Sequence, residues 1–294
     1  MINLRLRKLK STFKKLEIDG YIIPKNDDFF SEYSQKDRLK TISNFTGSAG
    51  YAVVLKNKNY LFVDGRYSIQ AEMEAGKYFK IIQYEKLFNC KLFKNQTLGL
   101  DPKLFTSGQI RSYFLGTSKI KVIDTNLIDS IYNKYNFKSK PFFSLKKNIV
   151  GKNYSQKIKQ IVEFLKKNKL NYIFISAPEN VAWLMNIRGY DNPNSPIPNC
   201  RLFINDKSEI YLIAEFNKVK KLLNENKIKK KQIIETKNIK NFILKLNKGK
   251  ILIDNKSCSL YFENLFKKKC EILNKQDPIY FFKSIKNKKE IDNM

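Results

Sequence analysis

Histidine is absent from all 294 residues of this sequence. That excludes a Ser-His-Asp triad, a Cys-His pair and any histidine-ligated metal built from this chain alone. Cysteine is scarce and scattered. Cys90, Cys200, Cys258 and Cys270 form no CxxC pair, and they read as reduced, mostly buried thiols rather than a disulfide or zinc framework. No run of about 20 apolar residues occurs, so no membrane-spanning helix is expected. The opening MINLRLRKLKSTFKKLEIDG is charged throughout and lacks the apolar stretch of a secretory signal, so a cytoplasmic protein is expected. Acidic residues are few, 27 against 57 basic ones, for a net charge of +30. Only seven of the basic residues are Arg, and the 50 Lys are spread along the whole chain among 31 Asn. A nucleic-acid surface concentrates its charge on one face and favours Arg, so solvated lysines on every face are the expectation. A non-catalytic module for RNA or an acidic partner is the alternative.

What is present suffices for real cores. The chain is 42% hydrophobic and 13% aromatic, and its length fits roughly two domains. Leu4, Leu6, Leu9, Phe13, Leu16 and Ile18 recur at helical spacing among basic residues, predicting an amphipathic helix before the strand Tyr21-Ile22-Ile23. Tyr51–Leu55 and Tyr60–Val63 flank Lys56-Asn57-Lys58-Asn59 as a hairpin. Asp64 is placed to cap a helix running to Ala75, followed by strands at Phe79–Tyr84 and Leu98–Leu100, a helix near Ser107–Leu115 and a strand at Val122-Ile123. Periodicity is lost around 138–151, which marks a domain boundary.

The second half repeats this order. A helix over Lys157–Leu170 runs into Tyr172–Ile175, and Leu202–Ile204 with Ile210–Ile213 makes another hairpin. Tyr211–Glu215 lies 151 residues after Tyr60–Asp64, Tyr172 lies 151 after Tyr21, and Ile251–Asp254 matches the segment ending at Asp101 at an offset of 153. Three ordered matches at nearly one offset predict a duplicated α/β unit with mixed sheets flanked by helices. Asp277-Pro278 opens a new segment, and Lys283–Asn293 reads as the first turns of a polar helix with no partner for Ile285 and Ile291.

Three segments are dense in special residues. Phe45-Thr46-Gly47-Ser48-Ala49-Gly50 follows Ser31-Glu32-Tyr33 and Arg38; a tight loop into a strand explains it as well as a recognition surface does. It is neither GxGxxG nor a P-loop, so nucleotide binding is unsupported. Asp64-Gly65-Arg66-Tyr67 ends a hairpin strand. A guanidinium suits carboxylate or carbonyl recognition, and Gly65 is a small neighbour that leaves it free; an ion pair from Arg66 to Asp64 or Glu72 is the alternative. Asn180–Pro198 holds the only Trp, the rare Arg188 and three prolines, and reads equally as a rigid structural loop or as a recognition loop.

Together SEY…FTGSAGYAVV, YLFVDGRYSIQAE, LGLDPKLF, NVAWLMNIRGYDNP and DPIYFFKSIKNKKEI resemble the N-terminal region of the cytosolic, three-domain Xaa-Pro aminopeptidases (aminopeptidase P) of the creatinase/prolidase superfamily. The resemblance implies two tandem creatinase-N-type α/β domains with a ribonuclease-H-like motif, over 1–140 and 151–276, with 277–294 as the start of a pita-bread catalytic domain that is otherwise absent, as in a truncated chain. It implies a substrate-gating portion of an enzyme that removes the residue before a proline at the second position. It places Arg66, Arg188 and Asp191 as substrate-binding residues, with no catalytic or metal-ligating residue in this chain. Asp64, Asp101, Glu72 and Glu74 are explained by caps and a helix face and are not read as ligands. The family's dinuclear metal, typically manganese, and most of its homodimer contact belong to the missing domain, so this chain alone is expected to be inactive. Two departures stand out: the segment Asp27–Tyr33 lacks a histidine common in the family, and Tyr190 stands where a serine is frequent.

Overall fold

Strands that are apolar at every position need cover on both faces, and the central strands here have it. The computed structural model describes residues 1–31, 33–34, 36–88, 91–114, 116, 118–132, 135 and 140–294. Glu32, Cys90 and Leu115, named above from the sequence, and residues 138 and 139 of the expected boundary lie outside them. The chain forms two compact units, Met1–Asn136 and Phe137–Met294.

In the first unit, β1 (Gly20–Pro24), β2 (Gly50–Leu55), β3 (Asn59–Val63), β4 (Lys80–Gln83), β5 (Thr97–Leu100) and β6 (Lys119–Val122) form one sheet in the order β4-β3-β2-β1-β5-β6. β2 is antiparallel to both neighbours, and the other pairs are parallel. Period-two alternation sends Tyr21, Ile23, Ala52, Val54, Leu61 and Val63 to one core, and Ile22, Tyr51, Val53, Leu55, Tyr60 and Phe62 to the other. The first core is closed by α1 (Ile2–Ser11), α2 (Arg38–Ser43) and α3 (Ser68–Ala75), the second by α4 (Ser107–Phe114), and α5 (Leu127–Ile131) returns to the first. The inward stripe of the opening segment is Ile2, Leu6, Leu9 and Phe13. Leu4, expected on that stripe, is 59% exposed, because spacing of four, three and four from Ile2 places it on the opposite side. Gly20 is required where β1 begins: a Cβ there would lie 2.5 Å from Leu55 and 2.8 Å from the Val54 carbonyl oxygen.

The second unit contains β7 (Phe143–Ser144), α6 (Lys147–Val150), α7 (Tyr154–Lys167), β8 (Tyr172–Ile175), α8 (Pro178–Met185), β9 (Ile187–Arg188), β10 (Arg201–Asn205), β11 (Ile210–Ile213), α9 (Phe216–Asn224), β12 (Ile233–Ile234), α10 (Ile239–Leu244), β13 (Gly249–Ile253), α11 (Leu260–Lys267), β14 (Cys270–Asn274), α12 (Pro278–Ser284) and α13 (Lys288–Asp292). Its main sheet runs β12-β11-β10-β8-β13-β14, which is the first sheet's order again, and β7 pairs with β9. The expected duplication is therefore real. Leu61 and Val63 match Leu212 and Ala214 at the expected 151 residues. The expected match of Tyr21 with Tyr172 is one residue off. Tyr21 faces the core under α1, whereas Tyr172 faces away from α7 and Ile173 faces toward it. Tyr21 opposes Val54, and Ile173 opposes Ile204, so the true spacing is 152. An odd slip reverses every side chain in a strand, and sidedness therefore overrules residue identity.

A polar clasp is duplicated as well. Asp101 Oδ1 accepts from the Lys103 amide and Oδ2 from Asn126 Nδ2, while Asn126 caps α5 through the Ile128 amide. In the second unit Asp254 Oδ1 accepts from the Lys256 amide and Oδ2 from the Asp277 amide, while Asp277 caps α12 through the Ile279 amide. α12 thus occupies in its unit the place α5 holds in the first. Beyond it the polar stretch does not continue as one helix: the chain leaves helical geometry at Ile285 and restarts at Asn287, whose side chain caps α13. Ile285 and Ile291 are exposed, and α13 is tied to α6 by Asn287 and Asn293 bonds to the Val150 and Ile149 carbonyls. Cys200, Cys258 and Cys270 are free and buried, as expected for reduced thiols.

Candidate functional site

In open α/β sheets, ligands meet the carboxyl edge of the parallel strands, where loops can converge. In the first unit β1, β3, β4 and β5 end on one edge, the edge on which antiparallel β2 begins. Lys25–Phe30, the Phe45–Gly50 loop, Asp64–Tyr67 and Tyr84 meet there around a cavity of about 260 Å³ lined by Asn26, Phe30, Gly50, Tyr51, Asp64 and Tyr84.

The Phe45–Gly50 loop is held from α3. Phe45 is fully buried, and the loop turns over its ring so closely that a Cβ on Gly47 would sit 2.2 Å from it. Glu74 accepts from both the amide and the hydroxyl of Thr46 at 2.7 Å, Gln70 Nε2 donates to the Thr46 hydroxyl at 2.7 Å, and Ser48 bonds Tyr67 OH at 2.8 Å. Partial burial works against the Glu74 carboxylate, but the bonds from Thr46 and Gln70 outweigh it and hold its pKa below the ordinary glutamate value. FTGSAG is thus a braced platform at the edge of the cavity.

Arg66 sits beside this platform on a single 3-10 turn, Gly65–Tyr67, capped by Asp64. Its side chain is 75% exposed, with Nε donating to Asp64 Oδ1 at 2.9 Å and Nη2 to Oδ2 at 3.3 Å. The bonds from Arg66 hold the Asp64 carboxyl below its ordinary value. An exposed pair of this kind contributes little to stability, and it can open toward a ligand at small cost. Gly65 is not what frees the side chain: a Cβ there would meet nothing within 4 Å. The turn itself projects Arg66 outward.

Behind the edge lies an ionic layer that sequence reasoning passed over. Arg38, noted only as a flank of the glycine loop, is buried at 4% exposure, with Nε and Nη2 each 3.0 Å from a different oxygen of Asp129 and with Asp28 at 3.5 Å. Lys36 joins Asp129 at 2.6 Å, and Lys25 pairs with Asp37, the cap of α2. These pairs pin the segment that delivers Lys25, Asn26 and Phe30 to the cavity. The signal that could have found them is the one used for Arg66, namely that arginine is rare in this chain.

The other expected site residues are in the second unit. Arg188 is half-buried on β9, where Nη1 donates to the Ala182 and Ile187 carbonyls at 3.2 and 2.9 Å and burial lowers its pKa. Asp191 is nearly buried and accepts from the Asn199 amide and from Lys218 Nζ, both at 2.7 Å. Its carboxylate therefore staples the Asp191–Asn199 turn to α9. Tyr190 is exposed and stacks on Phe143 with ring centroids 5.4 Å apart. Trp183 is half-buried and donates Nε1 to Glu290 at 2.9 Å. Among the described residues no three His, Cys, Asp or Glu side chains are grouped to hold a metal, and no helix is long and apolar enough to cross a membrane.

The Creatinase/Prolidase N-terminal domain family matches this chain twice, over residues 5–130 and 133–290. Xaa-Pro aminopeptidase 1 of Dictyostelium discoideum is 30% identical over 254 residues, covering 78% of this chain and 39% of that protein. Xaa-Pro aminopeptidase 2 of Rattus norvegicus is 30% identical over 227 residues, covering 69% and 34%. The chain therefore spans well under half the length of these curated relatives. The crystal structure of the X-prolyl aminopeptidase of Caenorhabditis elegans, described as a cytosolic enzyme with a di-nuclear active site, shares the fold at a TM-score of 0.85 and 22% identity, over 99% of this chain and 53% of that one. With both α/β units matched in tandem, the chain belongs to the creatinase/prolidase N-terminal domain family.

Proposed function

We propose that this chain is the substrate-gating portion of a cytoplasmic, metal-dependent Xaa-Pro aminopeptidase, which removes an N-terminal residue that precedes a proline. The observation that carries this reading is Arg66, an exposed guanidinium paired with Asp64 beside a braced glycine loop at the carboxyl edge of the first sheet. An aminopeptidase must select a free peptide end and exclude folded chains, and side walls with a fixed hydrogen-bond donor serve both needs. Arg66 would hold a peptide carbonyl or carboxylate, exchanging its bonds to Asp64 for two parallel bonds to the ligand. In the same proposal the loop carrying Arg188 and Asp191 lines the entrance, with Asp191 fixing its shape. Residues 1–140 and 151–276 would be the two gating domains, and 277–294, packed within the second unit, would also lead into the catalytic domain.

The dinuclear metal of such an enzyme, manganese in this proposal, would activate the attacking water. The residues of this chain do not fit it, since histidine is absent from the sequence and no carboxylate cluster forms among the described residues. The metal is therefore assigned outside these residues, and the proposal also places most of the homodimer contact there. The purified 294-residue chain, supplied with manganese, is expected to release no N-terminal residue from an Xaa-Pro peptide. Metal-dependent release would show that the chain holds a catalytic centre and would overturn the assignment.

A further inference from the structure

We propose that the second unit holds a binding site for a small organic anion, a carboxylate or phosphate on an apolar body, in the cavity walled by α7, α8, β9, α12 and α13. The cavity measures about 360 Å³, within the usual range of small-molecule sites. Four cations line it, Lys157, Arg188, Lys283 and Lys286, against one carboxylate side chain, Glu290, with the terminal residue Met294 also in the wall. Both oxygens of Glu290 are already engaged, one by Trp183 Nε1 and the other by the Asn287 amide, each at 2.9 Å. Among the described residues none of the four cations has a carboxylate within 4.0 Å.

Their hydrogen bonds go to neutral acceptors. Lys157 is 99% buried and donates to the Trp183 carbonyl and Asn186 Oδ1 at 2.8 Å, with its ammonium 3.9 Å from the indole centroid. Lys283 donates to Asn180 Oδ1, and Lys286 to the Lys283 carbonyl. Among the described residues the side-chain bonds of Arg188 are made by Nη1, so Nε and Nη2 remain as donors for a ligand at the cavity it lines. Positive charge that outnumbers its counter-charge around a cavity is a state that an anion relieves. The titration directions agree. Burial lowers Lys157 to about 8, Arg188, Lys152 and Lys227 push the same way, and only Glu290 opposes. Burial also lowers Lys283, against the pull of Glu179 and Asp277. Beside Asn186 and Asn293 the rest of the wall includes Leu145, Ile149, Val150 and Trp183, an apolar stretch that suits a ring or short aliphatic body. This site stands independently of the aminopeptidase reading.

The chain supplies its own probe, because Trp183 is its only tryptophan. The purified chain is titrated with phenyl phosphate, N-acetylphenylalanine and inorganic phosphate while tryptophan emission is followed. A saturable change is expected with at least one organic anion, and the stronger of the two identifies the head group. Inorganic phosphate, lacking the apolar body, is expected to bind about ten-fold or more weaker. Arg188→Gln is expected to weaken binding about ten-fold or more. Lys286→Gln, at an exposed position where folding is not at stake, is expected to weaken it severalfold, and the exposed Lys245→Gln to leave it unchanged. Affinity is expected to fall as pH rises through about 8, where Lys157 loses its proton. The proposal is overturned if neither organic anion gives a saturable change up to about 10 mM, or if Arg188→Gln and Lys286→Gln both bind like the unaltered chain.

Discussion

Asp129→Ala is expected to lower the unfolding free energy of the first unit by about 3–5 kcal/mol, the penalty for stranding a buried charge. Arg38 is 4% exposed and relies on both oxygens of Asp129. Its Nη1 is buried without a hydrogen-bond partner, and Asp28 at 3.5 Å and the charge of Asp101 also act on it. Removing Asp129 takes away both charge-assisted bonds to Arg38 and leaves the buried guanidinium with Asp28 at 3.5 Å. Arg38→Met is expected to cost less, because it removes the cation and leaves Asp129 paired with Lys36. The double variant is expected to be more stable than Asp129→Ala alone. Urea midpoints at unchanged m-value check this ordering. Equal losses in both single variants would mean that packing, not the stranded charge, decides.

Asp277→Asn is expected to remove a loss of about 3 kcal/mol that the unaltered chain suffers as pH rises from about 4 to about 6. Burial lifts the Asp277 carboxyl from 3.8 to about 6, and Asp254 pushes the same way. Bonds from the Ile279 amide and Asn180, and the charge of Lys283, only partly oppose this. Between the two pKa values the unfolded chain gives up a proton that the folded chain keeps. Unfolding is therefore favoured as pH rises through that window, and stability is greatest below it. Asparagine keeps an acceptor for the Ile279 amide and carries no charge, at the expense of the bond from Asn180, worth about 1 kcal/mol. The variant is thus expected to be less stable than the unaltered chain near pH 4 and more stable near pH 7. Comparing the two chains by chemical unfolding at both pH values cancels the other titrating groups. A difference that does not change with pH would refute the raised pKa.

The fold was legible where apolar runs and turn residues agreed, as at Tyr51–Leu55, Tyr60–Val63 and Tyr172–Ile175, which lie within or match strands of the final sheets. The duplication was legible for the same reason. Its register was not, because residue identity aligned Tyr21 with Tyr172 while sidedness in the folded sheet pairs Tyr21 with Ile173. The clasp of Asp101 with Asn126, and of Asp254 with Asp277, was also hidden, since its partners are more than twenty residues apart and use a side-chain amide in one unit and a backbone amide in the other. Rarity of arginine drew attention to Arg66, but the same rarity applies to Arg38, locked in a buried pair, and to Arg201, buried over the Phe262 ring. Composition picks out positions where a guanidinium is needed; only burial separates recognition from architecture.

Turnover of an Xaa-Pro peptide by a three-domain protein, made by joining this chain to a metal-binding catalytic domain of the family, tests the gating role most directly. Arg66 is exposed and its pair with Asp64 is exposed too, so its replacement should leave the melting temperature nearly unchanged. Lysine keeps the charge but cannot reproduce two parallel hydrogen bonds. Both Arg66→Lys and Arg66→Ala are therefore expected to lower kcat/KM by about ten-fold or more, equivalent to about 1.4 kcal/mol of lost transition-state binding. Turnover that survives both substitutions, or that falls only in step with the melting temperature, would contradict the assignment and leave Arg66 a residue of the turn.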